Sequence, residues 1–157
     1  HFLESFPYLQ RGVVMVQAEV GERLAAPPGS KTYGAPSAKA AWYGRWWLTG
    51  TVSRQVFWPV PNVDSVLVAF ERAPEPRGTE DERRAAFRLV DAAFQQRRKM
   101  LRQALASVLR ESAPDGGADS ISAADASALL ERAGVAPTAR GEELTIDDFA
   151  RIADSLR

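Results

Sequence analysis

The 157-residue chain contains no cysteine, which excludes disulfides, thiolate metal sites and cysteine nucleophiles together and suits a cytoplasmic protein. Its single histidine is His1, whereas a Ser-His-Asp triad or a histidine-rich metal centre needs a histidine within the fold. No apolar run approaches the roughly 20 residues of a membrane span, and no charged-then-apolar leader opens the sequence. An initiator methionine is missing as well. The opening His1-Phe2-Leu3-Glu4-Ser5-Phe6-Pro7 reads as the end of an amphipathic helix, and the chain is expected to be a fragment. What is present is ordinary for a globular protein: 45% hydrophobic and 25% charged residues, enough for one core or two small ones.

The formal net charge is zero, but the charge is unevenly spread. Residues 1–79 hold eight Lys/Arg and six Asp/Glu, residues 80–110 eight and four, and residues 111–157 four and ten, giving balances of +2, +4 and −6. Such asymmetry points to a basic surface that meets an anionic partner, with the acidic tail facing elsewhere. The plainer alternative is that charged helix faces solvate themselves.

Periodicity changes once along the chain. The β-branched and aromatic runs Gly12 to Val16, Ala41 to Leu48 and Ser65 to Phe70 predict three strands. Gln17 to Leu24 predicts a helix that Ala26-Pro27-Pro28-Gly29-Ser30 stops, and Ala35 to Ala41 can start another. Ala73-Pro74-Glu75-Pro76-Arg77-Gly78 has the composition of a linker, which predicts domains 1–76 and 77–157. Beyond it, Phe87, Val90, Phe94, Leu101, Leu105 and Val108 form the buried stripe of a helix running from Glu82 to Arg110. A loop at Ser112-Ala113-Pro114-Asp115-Gly116-Gly117 follows. Ser122, with Asp125 three residues on, begins a further helix that Gly134 ends, and Thr145 caps a last one with Asp147 and Asp148 in its first turn.

Two stretches go beyond structural needs. In Val56-Phe57-Trp58-Pro59-Val60-Pro61-Asn62-Val63-Asp64-Ser65, prolines at i and i+2 force an extended backbone just before a buried strand, so that an aromatic ring can be held out to a ligand. Alternatively, Phe57 and Trp58 cover the sheet edge. In Phe94-Gln95-Gln96-Arg97-Arg98-Lys99-Met100-Leu101-Arg102, a continuous helix would put Arg98 inside the apolar stripe. Either the helix breaks near Gln96, the preferred reading, or Arg98 is a buried structural residue.

Five phrases then come into register: Val16-Gln17-Ala18-Glu19-Val20 to Arg23-Leu24, Ser30-Lys31-Thr32-Tyr33-Gly34, Phe57 to Ser65, Phe94 to Leu105, and Gly134-Val135-Ala136-Pro137 through Arg140-Gly141-Glu142. In this order and spacing the chain resembles the KsgA-type family of ribosomal RNA adenine dimethyltransferases over almost its whole length. The resemblance implies an α/β fold: the C-terminal half of a Rossmann-like methyltransferase domain, with about three strands and their helices, followed by a small all-α domain that binds rRNA. It implies transfer of methyl groups from S-adenosylmethionine to N6 of two adjacent adenosines near the 3′ end of 16S rRNA, on the assembling 30S particle.

Site residues follow from the same resemblance. Phe57 is expected to stack on the target adenine, and Arg97, Arg98, Lys99 and Arg102 to contact RNA. The glycine-rich loop and the Asn-Leu-Pro-Tyr segment that such enzymes use for donor and target amine are not in this sequence, so no cofactor-binding residue is named and no bound donor or metal is expected. Ala18 and Asn62 stand where relatives often carry basic residues, Trp46-Trp47 is unusually aromatic, and the loop at 111–120 is longer than expected. The Erm-type 23S rRNA adenine methyltransferases share part of the proline phrase, but Arg97-Arg98-Lys99 and Arg140-Gly141-Glu142 favour the small-subunit enzymes. A module that binds rRNA without catalysis is the alternative of another class.

Overall fold

A computed structural model describes residues 2–111 and 122–156 and divides into two compact units, His1–Arg77 and Gly78–Arg157. The expected loop at Ser112–Gly117, and most of the longer 111–120 segment, lies outside the described residues.

The first unit is a three-stranded sheet with helices. After a short helix α1 (Phe2–Ser5) come strand β1 (Arg11–Gln17), helices α2 (Ala18–Leu24) and α3 (Ala35–Tyr43), then strands β2 (Gly44–Val52) and β3 (Ser65–Arg72). The strand order is β1-β3-β2, with β3 antiparallel to both neighbours, so β1 and β2 run parallel to each other. Gly12, Val14 and Val16 face Phe70, Val68 and Val66 across one ladder, and Trp46 and Leu48 face Phe70 and Val68 across the other. Val66, Val68 and Phe70 are buried. A bulge between Leu48 and Gly50 shifts the second register.

Helix α2 lies very close to the sheet. A Cβ at Gly21 would come within 2.2 Å of the Val66 side chain and 2.9 Å of Val68, so only glycine allows this approach. Buried Ser37 then joins the two helices: its hydroxyl donates to the Arg23 carbonyl at 2.5 Å and accepts the Gly34 N–H at 3.0 Å. The middle strand departs from expectation. Ala41 to Tyr43 complete helix α3, and the strand begins only at Gly44. Trp42 accounts for the difference, because it lies four residues after buried Ala38 and is itself buried, as one face of a helix requires. The two tryptophans that follow split as strand neighbours must. Trp46 packs on Phe70 with ring centroids 4.6 Å apart, while Trp47 is exposed beneath the Arg45 guanidinium.

The regular elements described in the second unit are helical: α4 (Glu80–Gln95), α5 (Leu101–Ala104), α6 (Ala106–Glu111), α7 (Ala123–Arg132) and α8 (Ile146–Asp154), with a 3₁₀ turn at Gly141–Glu143. The helical segment expected from Glu82 to Arg110 is three helices, with the break near Gln96 that the sequence favours and a second one at Leu105. Leu89, Leu101, Leu105, Leu109, Leu130, Phe149 and Ile152 are fully buried and form its core. Val90 belongs with them, whereas Phe87, Phe94 and Val108 of the expected stripe are half-buried.

Capping boxes start three of these helices. Ser122 with Asp125 and Thr145 with Asp148 stand where the sequence places them, and Thr79 with Glu82 adds a third that starts α4. Glu80, in the first turn of α4, receives hydrogen bonds from Arg83 and Arg84 that lower its pKa to about 2. Burial raises the pKa of Asp148, but hydrogen bonds from Thr145 and the charge of Arg151 outweigh it and leave the value below the ordinary 3.8. A carboxylate with a lowered folded-state pKa stabilises the fold in full above 3.8 and ceases to as pH falls through the lowered value. Thr145→Ala is therefore expected to cost about 1 kcal/mol at neutral pH. Asp148→Ala should also destabilise the chain there, and the gap from wild type should close in acid, as measured by urea unfolding from pH 7 down to pH ~2.

Candidate nucleic-acid interface

The proline phrase forms the loop between β2 and β3. Its neck is closed by Asp64, whose Oδ1 accepts the Arg54 N–H at 3.0 Å while its backbone carbonyl accepts the Ala18 N–H at 3.0 Å. The Arg54 guanidinium donates to the Asn62 carbonyl at 3.4 Å, and the Ser53 hydroxyl caps a 3₁₀ turn over Arg54–Val56. Phe57 follows that turn, its N–H donating to the Arg54 carbonyl, and is half-buried. Trp58 stands out almost completely, at 94% exposure. The Trp58-Pro59 peptide is cis, and Pro59 and Pro61 add no N–H groups that the loop must satisfy. Asp64 was not singled out from the sequence, although an Asp two residues after Asn62 at the mouth of a turn is a standard acceptor for loop N–H groups.

The basic phrase lies in the second unit, at the break between α4 and α5. Helix α4 ends at Gln95, a turn closes from the Lys99 N–H to the Gln96 carbonyl at 2.8 Å, and the chain re-enters a helix at Leu101. The break is stable because the free N–H groups at the start of α5 find acceptors: Leu101 N–H donates to Ala139 O at 2.8 Å and Arg102 N–H to Pro137 O at 3.3 Å. It also removes Arg98 from the apolar stripe. The side chains of Arg98 and Lys99 are exposed, with no hydrogen-bond or ion-pair partner among the described residues, so the preferred reading of a break near Gln96 holds and the alternative of a buried, structural Arg98 does not. Arg97 differs from them. It donates to Glu142 at 2.6 Å, which joins the basic turn to the Arg140-Gly141-Glu142 phrase. Arg102 is half-buried.

Phe57 thus belongs to the first unit and the four cations to the second. Among the described residues no group of three His, Cys, Asp or Glu side chains is placed to hold a metal ion, no buried side-chain polar atom lacks a partner, and no helix is long and apolar enough to cross a membrane.

The family model for ribosomal RNA adenine dimethylase matches residues 1–156. The chain belongs to this family. The dimethylase relatives include a protein of Leifsonia xyli named ribosomal RNA small subunit methyltransferase A, 61% identical over 98% of this chain, and one of the same name from Thermobifida fusca, 55% identical over 98%. The chain spans about half the length of these relatives, 51% and 50%. Among solved structures, a dimethyladenosine transferase from Plasmodium falciparum superposes on 91% of the chain, and 55% of its own, with a TM-score of 0.74 at 22% identity. The 23S rRNA methyltransferase ErmE superposes on 94%, with a TM-score of 0.58 at 18% identity and 55% of its own length covered. At these identities the two structures establish the Rossmann-like methyltransferase fold and nothing finer.

The glycine of the Arg140-Gly141-Glu142 phrase has a packing reason. Gly141 is buried, and a Cβ on it would stand 2.8 Å from the Ala93 Cβ and 3.4 Å from the backbone of α4. Gly141→Ala is expected to push the 3₁₀ turn off α4 and cost about 1–3 kcal/mol. Gly12→Ala, with nothing within 4 Å of the added methyl, serves as the control in the same denaturant titration.

Proposed function

We propose that this chain is the C-terminal half of an S-adenosylmethionine-dependent enzyme that dimethylates N6 of two adjacent adenosines near the 3′ end of 16S rRNA, in the cytoplasm, during assembly of the 30S particle. Residues 1–76 complete the Rossmann-like domain, and residues 77–157 form a helical rRNA-binding domain. The observation that carries the reading is similarity over 98% of the chain, above half identity, to proteins named for the small ribosomal subunit. The Erm-type alternative has only the likeness of fold in its favour.

The methyl group comes from the donor's sulfonium, and the glycine-rich loop that the resemblance implies for holding that donor is not in this sequence. No step is therefore assigned to the donor. The part left to this chain is to bind and position RNA. N6 of an adenine inside a helix is out of reach, so the base must leave its stack at a cost of a few kcal/mol, of which an aromatic face returns about 1–3 kcal/mol. Phe57 supplies that face. The pinned neck of its loop and the two prolines limit the entropy lost when a base is received. The basic turn supplies phosphate contacts, with Arg98 and Lys99 in the leading role, Arg102 beside them, and Arg97 sharing its charge with Glu142.

Two outcomes are expected in the whole enzyme. Phe57→Ala should lower the methylation rate about tenfold or more, equivalent to roughly 1.4 kcal/mol, with donor affinity and melting temperature unchanged, whereas Phe57→Tyr keeps most of the activity. Loss of stability in proportion to activity would instead make Phe57 a packing residue. Arg98→Ala and Lys99→Ala should each reduce the salt dependence of RNA binding by about one unit of log–log slope or somewhat less, at unchanged stability. Identical slopes in both variants would remove the basic turn from the interface.

A further inference from the structure

The loop that holds Phe57 carries more exposed apolar surface than one base requires. Val56, Trp58, Val60 and Val63 are all exposed, Val56 at 69% and Trp58 at 94%. A tryptophan is normally among the more buried side chains, because its ring removes a large apolar area from water and its N–H finds a partner. Here the ring has both faces open and is held beside Phe57 on a loop whose neck is fixed by the Asp64 and Arg54 hydrogen bonds. Placing such a ring in water on a fixed backbone keeps it ready for a flat, apolar partner.

Charge narrows the choice of partner. From Ser53 to Val63 the one charged side chain is Arg54, and Asp64 already accepts the Arg54 N–H. The ring is thus presented on a loop segment whose one charged side chain is a cation, which suits a polyanion. We propose that Trp58 stacks on the nucleobase adjacent in the RNA strand to the one received by Phe57. Two successive bases are then taken out of the helical stack together, one on each ring. Stacking of this kind tolerates any base, so the contact adds affinity and fixes the strand's position without reading sequence.

The proposal rests on the reading of the loop as an RNA site, and the test separates the two. The probes are single-stranded oligoribonucleotides bearing two adjacent adenosines, either intact or abasic at the nucleotide on one or the other side of the target. In the whole enzyme, Trp58→Ala should weaken binding of the intact probe about tenfold, and Trp58→Phe about two- to threefold. With one of the abasic probes, wild type and Trp58→Ala should bind equally, because the partner of the ring is gone. Equal affinity of wild type and Trp58→Ala for the intact probe overturns the proposal. So does the same loss on every probe, or a fall in melting temperature, which would place the ring in a protein contact. Failure of the underlying reading shows elsewhere, as undiminished methylation by Phe57→Ala.

Discussion

Strand β3 is hydrogen-bonded along both edges, and its side chains Val66, Val68 and Phe70 are buried against α2 and the neighbouring strands. Its two ends carry the other constraints of the first unit. Just before the strand, Asp64 ties the β2–β3 loop to the start of α2. At its far end, the Arg72 guanidinium donates to the carbonyls of Leu3, Phe6 and Leu9, which holds the first turns of the chain in place. A displacement of β3 would therefore reach the aromatic loop, the helix packed through Gly21 and the N-terminal segment together. The site on the loop is a by-product of sheet geometry: the same strand that fills the core positions Phe57 and Trp58.

In the second unit, a break in a helix does a comparable job. The stripe that begins on α4 cannot continue through Gln96-Arg97-Arg98-Lys99 without burying a guanidinium, a cost that only a well-paired partner offsets. Breaking the helix puts the cations outside, and the carbonyls of Pro137 and Ala139 receive the N–H groups that the break frees. The Gly134-to-Glu142 segment serves the basic turn directly, through Gly141 against Ala93 and Glu142 against Arg97. Two phrases far apart in sequence are thus one structural device.

Local chemistry was the legible part of this sequence. Ser122 and Thr145 act as caps because a hydroxyl followed three residues later by a carboxylate closes a box within four residues, and the β-branched runs at 12–16 and 65–70 lie in β1 and β3. Where a reading depended on partners distant in sequence, it failed or was missed. Trp42 reads equally well as strand or helix until Ala38 and the sheet face beneath it are known. Burial of Arg98, the alternative to the break, came from a helical wheel that holds only for an unbroken helix. The role of Asp64 depends on Arg54 and Ala18, and that of Ser37 on Arg23, none of them at helical or strand spacing. Thr79-x-x-Glu82 was readable by the same rule as the other boxes, yet the stripe of apolar residues drew attention to a later start.

The order of strands also bears on how the molecule is made. β2 and β3 are joined by one loop, so they can pair as soon as both have left the ribosome. β1 cannot: Arg11 pairs with Glu71, sixty positions later. Until then β1 lacks the edge that β3 supplies, and Val13, Val14 and Val16 give it the β-branched character of a segment that seeks one. Val13, Val14 and Met15 keep exposed side chains even after pairing. The central position of β3 therefore makes β1 wait for this edge until the chain has been made as far as residue 72.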